Sequence, residues 1–202
     1  MNKFNIPTTI DVSIYGNIEQ LTPTLSKCRV RTFYKYMNRN RTYITDDFAS
    51  QLIASLPYAP IKGIFDTDEL DFEDHGKDNT DGRVYGVIME NPNFAWEDHL
   101  DEDGVTRTYA CADAILLTGL YPEAKLIPGK SQSMEIFRDN LEGEWQIADD
   151  GEPYFLFKKG CLVGLQVLGD NTEPCFEGAA FFSLQTFKDI KDCMENLNKE
   201  EE

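Results

Sequence analysis

The stretch Lys130–Ile136, with the sequence KSQSMEI, indicates the fold class because polar and apolar side chains alternate over its last four residues, SMEI. Successive side chains of a β-strand point to opposite faces of the sheet. Met134 and Ile136 therefore share one face, which we expect to enter the core. Ser133 and Glu135 share the other face. The stretch predicts a strand that presents a serine hydroxyl on a polar face backed by packed apolar side chains.

Other stretches of the chain also have the pattern of strands, so the domain is predicted to be mainly β. The acidic stretch Glu97–Gly104 is predicted to be a turn between two of them. The remaining strands are predicted at Val30–Tyr36, Pro60–Phe65, Arg83–Ile88 and Thr106–Ala112, with two more between residues 153 and 168.

Two helices are predicted. The first begins after Thr45, a suitable N-cap, and its apolar residues recur at helical spacing up to Pro57. The second is an amphipathic helix at Leu184–Leu197, where apolar residues form a single stripe. We therefore predict one domain over residues 1–182, followed by a helix and polar tail over residues 183–202.

The composition narrows the classes of function. A chain of 202 residues with 41% hydrophobic residues is long enough to bury the core of one domain. A formal net charge of −17 disfavours binding to nucleic-acid phosphates, and no apolar run reaches the roughly 20 residues of a membrane span. The five cysteines form no Cys-x-x-Cys pair, which argues against a zinc ribbon. We expect an intracellular, reduced protein that binds neither nucleic acid nor membrane.

Ser133 is a candidate nucleophile if a base can take its proton, and the usual base is a neutral imidazole. The chain has two histidines, His75 and His99. His99 lies in the acidic stretch predicted to be a turn, where a solvated histidine is expected. His75 follows Asp74 and is the other candidate for the base.

Several motifs occur in the order found in one family of phage enzymes. Ser-Met-Glu-Ile at residues 133–136 is followed by Tyr154–Phe157 and Cys161–Leu168, and is preceded by Asn40–Ile44 and Asp74-His75. This arrangement resembles the prohead (capsid-maturation) serine proteases of tailed bacteriophages, and most closely the branch in which the protease is fused to the scaffold. The resemblance covers about residues 38 to 180.

The resemblance implies a fold and an activity. The fold would be a single closed β-barrel with flanking helices, as in the herpesvirus assembly proteases. The activity would be that of a serine endopeptidase that cleaves capsid and scaffold proteins inside the procapsid, in the cytoplasm of the bacterial host. Ser133 would attack the scissile carbonyl, with His75 as base and then acid. No cofactor is implied, and the protein is expected to form a homo-oligomer, such as a dimer.

The third catalytic residue is left open by the resemblance. In the scaffold-fused branch an orienting acid precedes the base, and that position falls on Asn40 in this sequence. An asparagine can hold an imidazole by a hydrogen bond, but it stabilises the imidazolium less than a carboxylate does. Glu135 is the other candidate if the fold brings His75 beside it. Backbone N–H groups between Gly160 and Gly164 are the candidates for oxyanion donors.

Two other classes of function remain open. One is a protease-derived scaffold or assembly protein that no longer cleaves, and the other is a small acidic protein-binding module in which Ser133 is incidental. The acidic clusters at residues 66–74 and 97–103 lack the spacing of an EF-hand loop, so no metal site is predicted. The resemblance also implies that the chain is the protease portion of a longer scaffold-fused protein, the alternative being a natural end at Glu202.

Overall fold

The computed structural model describes residues 18–76 and 81–182, which are mostly β. The predicted helix at Leu184–Leu197 and the predicted boundary between residues 182 and 183 extend outside the described residues. The elements are β1 (Glu19–Gln20), β2 (Ser26–Tyr34), β3 (Tyr36–Met37), β4 (Thr42–Ile44), α1 (Asp46–Ala54), β5 (Pro60–Gly63), β6 (Phe65–Asp66), β7 (Asp71–Phe72), β8 (Arg83–Ile88), β9 (Ala95–Leu100), β10 (Thr106–Leu116), β11 (Gln132–Ile136), β12 (Glu142–Ile147), β13 (Pro153–Lys159), β14 (Leu162–Val167) and β15 (Phe181–Phe182). Two short 3-10 helices lie at Pro122–Leu126 and Arg138–Asn140.

Helix α1 begins where the sequence indicates but ends at Ala54, before the predicted end at Pro57. The Thr45 hydroxyl accepts a hydrogen bond from the backbone N–H of Phe48 at 3.1 Å, which confirms the predicted N-cap. The buried face of the helix carries Phe48, Ala49 and Leu52. Phe48 stacks on Phe157 of β13 with a ring-centroid distance of 4.9 Å, so the helix packs on the second sheet.

The largest sheet has the strand order β1-β2-β10-β8-β5-β14-β11, and β9 and β15 pair with β10 and β2 respectively. Most of its pairs are antiparallel, but β14 pairs with β5 in parallel. One face of this sheet carries fully buried core residues, among them Val30, Ala112, Ile61 and Leu165. That apolar face positions the polar residues on the opposite face of the same strands.

The prediction of a closed β-barrel, which was made from the resemblance, is wrong. The described residues form open sheets, and β11 and β1 lie at the two ends of the strand order in the largest one. A lone bridge between Ser131 and Ala180 joins the chain before β11 to the segment before β15. The Gln132 side chain donates to the backbone carbonyls of Arg31 and Thr32 at 3.0 and 2.7 Å. The Gln132 side chain therefore occupies two backbone carbonyls of β2 that a strand closing the barrel would need as hydrogen-bond acceptors.

The expected flanking helices are also not found as such. Within residues 18–76 and 81–182, α1 is the one α-helix. The prediction of a turn over Glu97–Gly104 is wrong for its first half, because β9 continues to Leu100 in antiparallel pairing with β10. The turn is confined to Asp101–Val105, where the Asp101 N–H donates to the Val105 carbonyl at 3.0 Å.

Two smaller sheets carry the other predicted site residues. Strands β12-β13-β4-β3 form a four-stranded sheet, and Asn40 lies in the turn between β3 and β4. Strands β6 and β7 form a hairpin, and His75 follows β7 after two residues. Ser133, His75 and Asn40 are therefore held by three different sheets or the segments that follow them.

Candidate functional site

Strand β11 confirms the alternation predicted from its sequence. Met134 and Ile136 are partly buried and pack against the hydrophobic core. Ser133 and Glu135 lie on the opposite face, yet they are only 8% and 9% exposed. The serine is thus not displayed on an open surface, as the polar face of a strand would suggest, but belongs to a buried polar cluster.

Strand register places three polar side chains in a row on this face. Ser133 of β11 pairs with Gln166 of β14, and Gln166 pairs with Lys62 of β5. Residues directly opposite each other in neighbouring strands project to the same face of the sheet. We call Lys62, Gln166, Ser133 and Glu135 the β11 polar cluster, since Glu135 shares the face of Ser133.

Lys62 and Glu135 form a buried ion pair in this cluster. The Lys62 Nζ lies 2.6 Å from Glu135 Oε2, and the two side chains are 6% and 9% exposed. Gly164 pairs with Glu135 on the intervening strand β14. A Cβ atom there would lie 2.9 Å from the Pro60 carbonyl oxygen and 3.0 Å from Lys62 Cε. The absence of a side chain at Gly164 leaves the space through which Lys62 reaches Glu135.

The other two members of the cluster are unpaired. Gln166 is 1% exposed, and its Nε2 is buried without a hydrogen-bond partner among the described residues. Ser133 Oγ is not among the fully buried unpaired atoms, but it has no side-chain hydrogen bond within the described part of the chain. Buried polar groups in proteins are nearly always paired, so an unpaired donor beside a serine hydroxyl calls for a functional explanation.

His75 lies on an exposed segment. Its side chain is 44% exposed, and its Nδ1 lies 2.5 Å from Asp74 Oδ1. The hydrogen bonds from the His75 backbone and side chain lower the pKa of Asp74. An Asp–His pair of this kind leaves Nε2 available to a further partner. No hydrogen bond joins His75 to Ser133 within residues 18–76 and 81–182, so the role of His75 as base stays a prediction.

The remaining predicted groups lie apart from Ser133. Asn40 is exposed, and its backbone N–H donates to Asn38 Oδ1 at 3.1 Å in the β3–β4 turn. His99 lies on β9, where its Nε2 is 3.8 Å from Asp101 Oδ1. Burial lowers the pKa of His99, and nearby Arg31 lowers it further, whereas Asp101 acts in the opposite direction. Asn40 thus stays a prediction for the orienting residue.

Two of the backbone N–H groups expected to act as oxyanion donors between Gly160 and Gly164 already have acceptors. The Gly160 N–H donates to Gln51 Oε1 at 3.3 Å, and the Leu162 N–H donates to the Ser55 hydroxyl at 2.9 Å. Both bonds tie the start of β14 to α1. The other backbone N–H groups of the range stay a prediction for the oxyanion donors.

Comparison with protein families gives one match. The model of the YonD N-terminal domain matches residues 24–200, which is most of the chain. The chain belongs to the YonD N-terminal domain family. YonD is a protein of a Bacillus phage region, so membership indicates a phage-associated protein. No curated protein and no solved structure matches the chain.

Within this member of the YonD N-terminal domain family, the sequence prediction missed Lys62 and Gln166. Each is the polar residue of an otherwise apolar strand, Lys62 in PIKG and Gln166 in LVGLQV. A lone polar residue in a buried strand was the available signal. A single sequence does not contain the strand register that brings Lys62 and Gln166 into the same cluster as Ser133.

Two cavities lie near other parts of the large sheet. One of about 400 Å³ is lined by Tyr34, Tyr36, Trp96 and Arg107, among others. Another, of about 360 Å³, begins at Gly63, directly after Lys62, and is lined also by residues of the β6 region. Among residues 18–76 and 81–182, no cluster of three or more His, Cys, Asp or Glu side chains could hold a metal ion, and no helix could span a membrane.

Proposed function

We propose that the protein is a serine endopeptidase of phage capsid assembly, which cleaves capsid and scaffold proteins with Ser133 as the nucleophile. The observation that carries the proposal is the unpaired state of Ser133 Oγ beside the unpaired amide of Gln166, in a cluster that also contains a charged pair. Membership of a phage-associated family supports the setting. The capsid and scaffold substrates come from the sequence resemblance.

The chemistry requires Ser133 Oγ to attack a peptide carbonyl carbon while its proton passes to a base. The base then returns that proton to the leaving amine, and water repeats the cycle on the acyl-enzyme. His75 is the base predicted from sequence, and Asp74 can hold its Nδ1. For this role the segment of His75 has to place Nε2 within about 3 Å of Ser133 Oγ when substrate binds.

The Lys62–Glu135 pair is a second candidate for the proton acceptor. Lys62 can accept the Ser133 proton if it first gives one of its own to Glu135. The pair then carries one extra proton and a net charge of +1, which balances the negative charge on the oxyanion formed when Oγ attacks. Two variants separate the candidates. Lys62→Arg keeps a cation beside Glu135 but does not give up a proton, so it abolishes cleavage only if Lys62 is the acceptor. His75→Ala abolishes cleavage only if the His75 imidazole is the proton acceptor.

A non-cleaving assembly protein is the second candidate function. The 8% exposure of Ser133 favours it, because a nucleophile has to meet its substrate. The missing hydrogen bond from Ser133 to an imidazole within the described residues favours it as well. In this case the protein would bind capsid or scaffold chains without altering their mass.

The experiment that tests the proposal is mass spectrometry of the protein incubated alone and with phage capsid and scaffold proteins. We expect fragments with the wild type and none with Ser133→Ala, because loss of the serine removes several orders of magnitude of rate. Ser131→Ala is the matched control, since it removes a hydroxyl two positions away. Identical fragments from Ser133→Ala would contradict the assignment, and stable complexes without fragments would favour the assembly protein.

A further inference from the structure

The Gln166 side chain is the most deeply buried member of the β11 polar cluster, and no hydrogen bond of its Nε2 among the described residues offsets the cost of that burial. It is 1% exposed, and its Nε2 is an unpaired donor among the described residues. An unsatisfied buried amide destabilises a folded protein, so a purely structural role would favour an apolar residue of similar size. The neighbouring strand positions, Leu165 and Val167, are apolar and fully buried.

Gln132, on the adjacent strand, shows what a structural glutamine does in this fold. It is also 1% exposed, and its Oε1 is buried without a partner among the described residues. Its Nε2, the atom that is unpaired in Gln166, donates to the backbone carbonyls of Arg31 and Thr32. It lies on the core face, one residue before Ser133, and links β11 to β2. Gln166 lies on the other face, directly opposite Ser133, and links no strands by its side chain.

We propose that Gln166 Nε2 is the oxyanion donor for Ser133, an inference that rests on the proposed endopeptidase function. Opposite residues of an antiparallel pair have their Cβ atoms about 5 Å apart, so one carbonyl group can meet both side chains. Ser133 Oγ attacks the carbonyl carbon, and the π electrons of the C=O bond move to the oxygen. Gln166 donates its N–H to that oxygen as negative charge develops, and keeps its proton.

The position of Gln166 makes this role efficient. Its surroundings are buried, so a hydrogen bond to a developing charge is stronger there than in water. The backbone N–H groups of Gly160 and Leu162 are already bonded to Gln51 and Ser55 and do not compete for the role. The donor is held ready on a strand, and needs no loop to close over the substrate.

The test compares stability with reactivity in one variant. Gln166→Met removes the donor at nearly constant volume. We expect the rate at which a fluorophosphonate labels Ser133 to fall by about 100- to 1,000-fold, the typical effect of losing one oxyanion donor. In that reaction the Oγ–P bond forms, fluoride leaves, and the hydroxyl proton passes to the base. The melting temperature should stay equal or rise, because an unpaired buried donor has been removed.

Gln132→Met is the matched control, and should lower the melting temperature because two carbonyls of β2 lose their donor. A wild-type protein that is not labelled at Ser133 would overturn the proposed function, and this inference with it. Labelling of Gln166→Met at the wild-type rate would overturn the inference alone. A fall in melting temperature as large as that of Gln132→Met would also overturn it, by showing that Gln166 is structural.

Discussion

Two buried polar clusters lie in the large sheet, and they differ in how completely they are paired. In the first, Arg29 donates to Asp113 Oδ1 at 2.6 Å and to Glu97 Oε1 at 2.8 Å. Lys27 lies 2.7 Å from the second oxygen of Asp113. In the β11 polar cluster, Lys62 and Glu135 are paired whereas Ser133 and Gln166 have no partner among the described residues.

The difference in pairing indicates that the Arg29 cluster is structural and that the β11 polar cluster is a candidate catalytic site. Burial alone would lower the pKa of Arg29, but its hydrogen bonds to Glu97 and Asp113 raise it above the ordinary value. The charged form is therefore what the fold stabilises there. The β11 polar cluster keeps two polar groups unpaired at the expense of stability, as sites that bind a substrate often do.

The largest effect on stability is expected from Arg29→Met. The change leaves Asp113, 2% exposed, beside Lys27 alone and removes the partner of Glu97. Breaking a buried charge pair from one side typically lowers the free energy of unfolding by about 3–5 kcal/mol. Urea unfolding followed by circular dichroism measures the loss. A change below 1 kcal/mol would contradict a structural role for the cluster.

A smaller but related loss is expected from Lys62→Met, by about 3 kcal/mol, because Glu135 keeps a buried charge without its partner. The double variant Lys62→Met with Glu135→Leu should recover most of that stability, since no unpaired charge remains. The comparison of single and double variants in urea gives the coupling energy. The single variant Glu135→Leu completes the cycle, and a double-variant loss equal to the sum of the two single losses would show that the pair is not coupled.

Ser133→Ala should change stability little, within about 1 kcal/mol, because Oγ makes no hydrogen bond within the described residues and the change is small. The same unfolding measurement checks this value. A loss of 2 kcal/mol or more would show that the hydroxyl has a structural partner. Ser133 would then have a structural role, as the residues of the Arg29 cluster do, and not a catalytic one.

The smallest effect concerns His99. Its pKa is lowered in the folded protein, so protonation favours the unfolded chain. The contribution of His99 to the free energy of unfolding should be constant above about pH 6.5 and should decline below it, as the unfolded chain binds the proton first. His99→Gln should remove that part of the decline. An unchanged pH profile in the variant would contradict the assignment.

The sequence predicts local features of this fold well, because they depend on neighbouring residues. The cap at Thr45 follows from one hydroxyl and the helix after it, and the two faces of β11 follow from alternation. The open sheet was not predicted. Whether a sheet closes depends on contacts between distant segments, such as those of Gln132 with the carbonyls of β2.

The candidate site was predicted only in part, for the same reason. Ser133 and its face can be read from Lys130–Ile136, but Lys62 and Gln166 are 104 positions apart (166 − 62) and meet through a parallel strand pair. No local pattern specifies that pair or its register. Glu135 was expected to contact an imidazole if the fold allowed it, whereas its partner in the structure is Lys62.

The most direct test of the account is to identify which side chain a fluorophosphonate modifies. The wild-type protein is treated with the reagent and digested, and the peptides are sequenced by mass spectrometry. The account predicts one adduct, on Ser133, which persists in Ser131→Ala and disappears in Ser133→Ala. An unmodified protein, or an adduct on another serine, would contradict the claim that the unpaired half of the β11 polar cluster is a catalytic site.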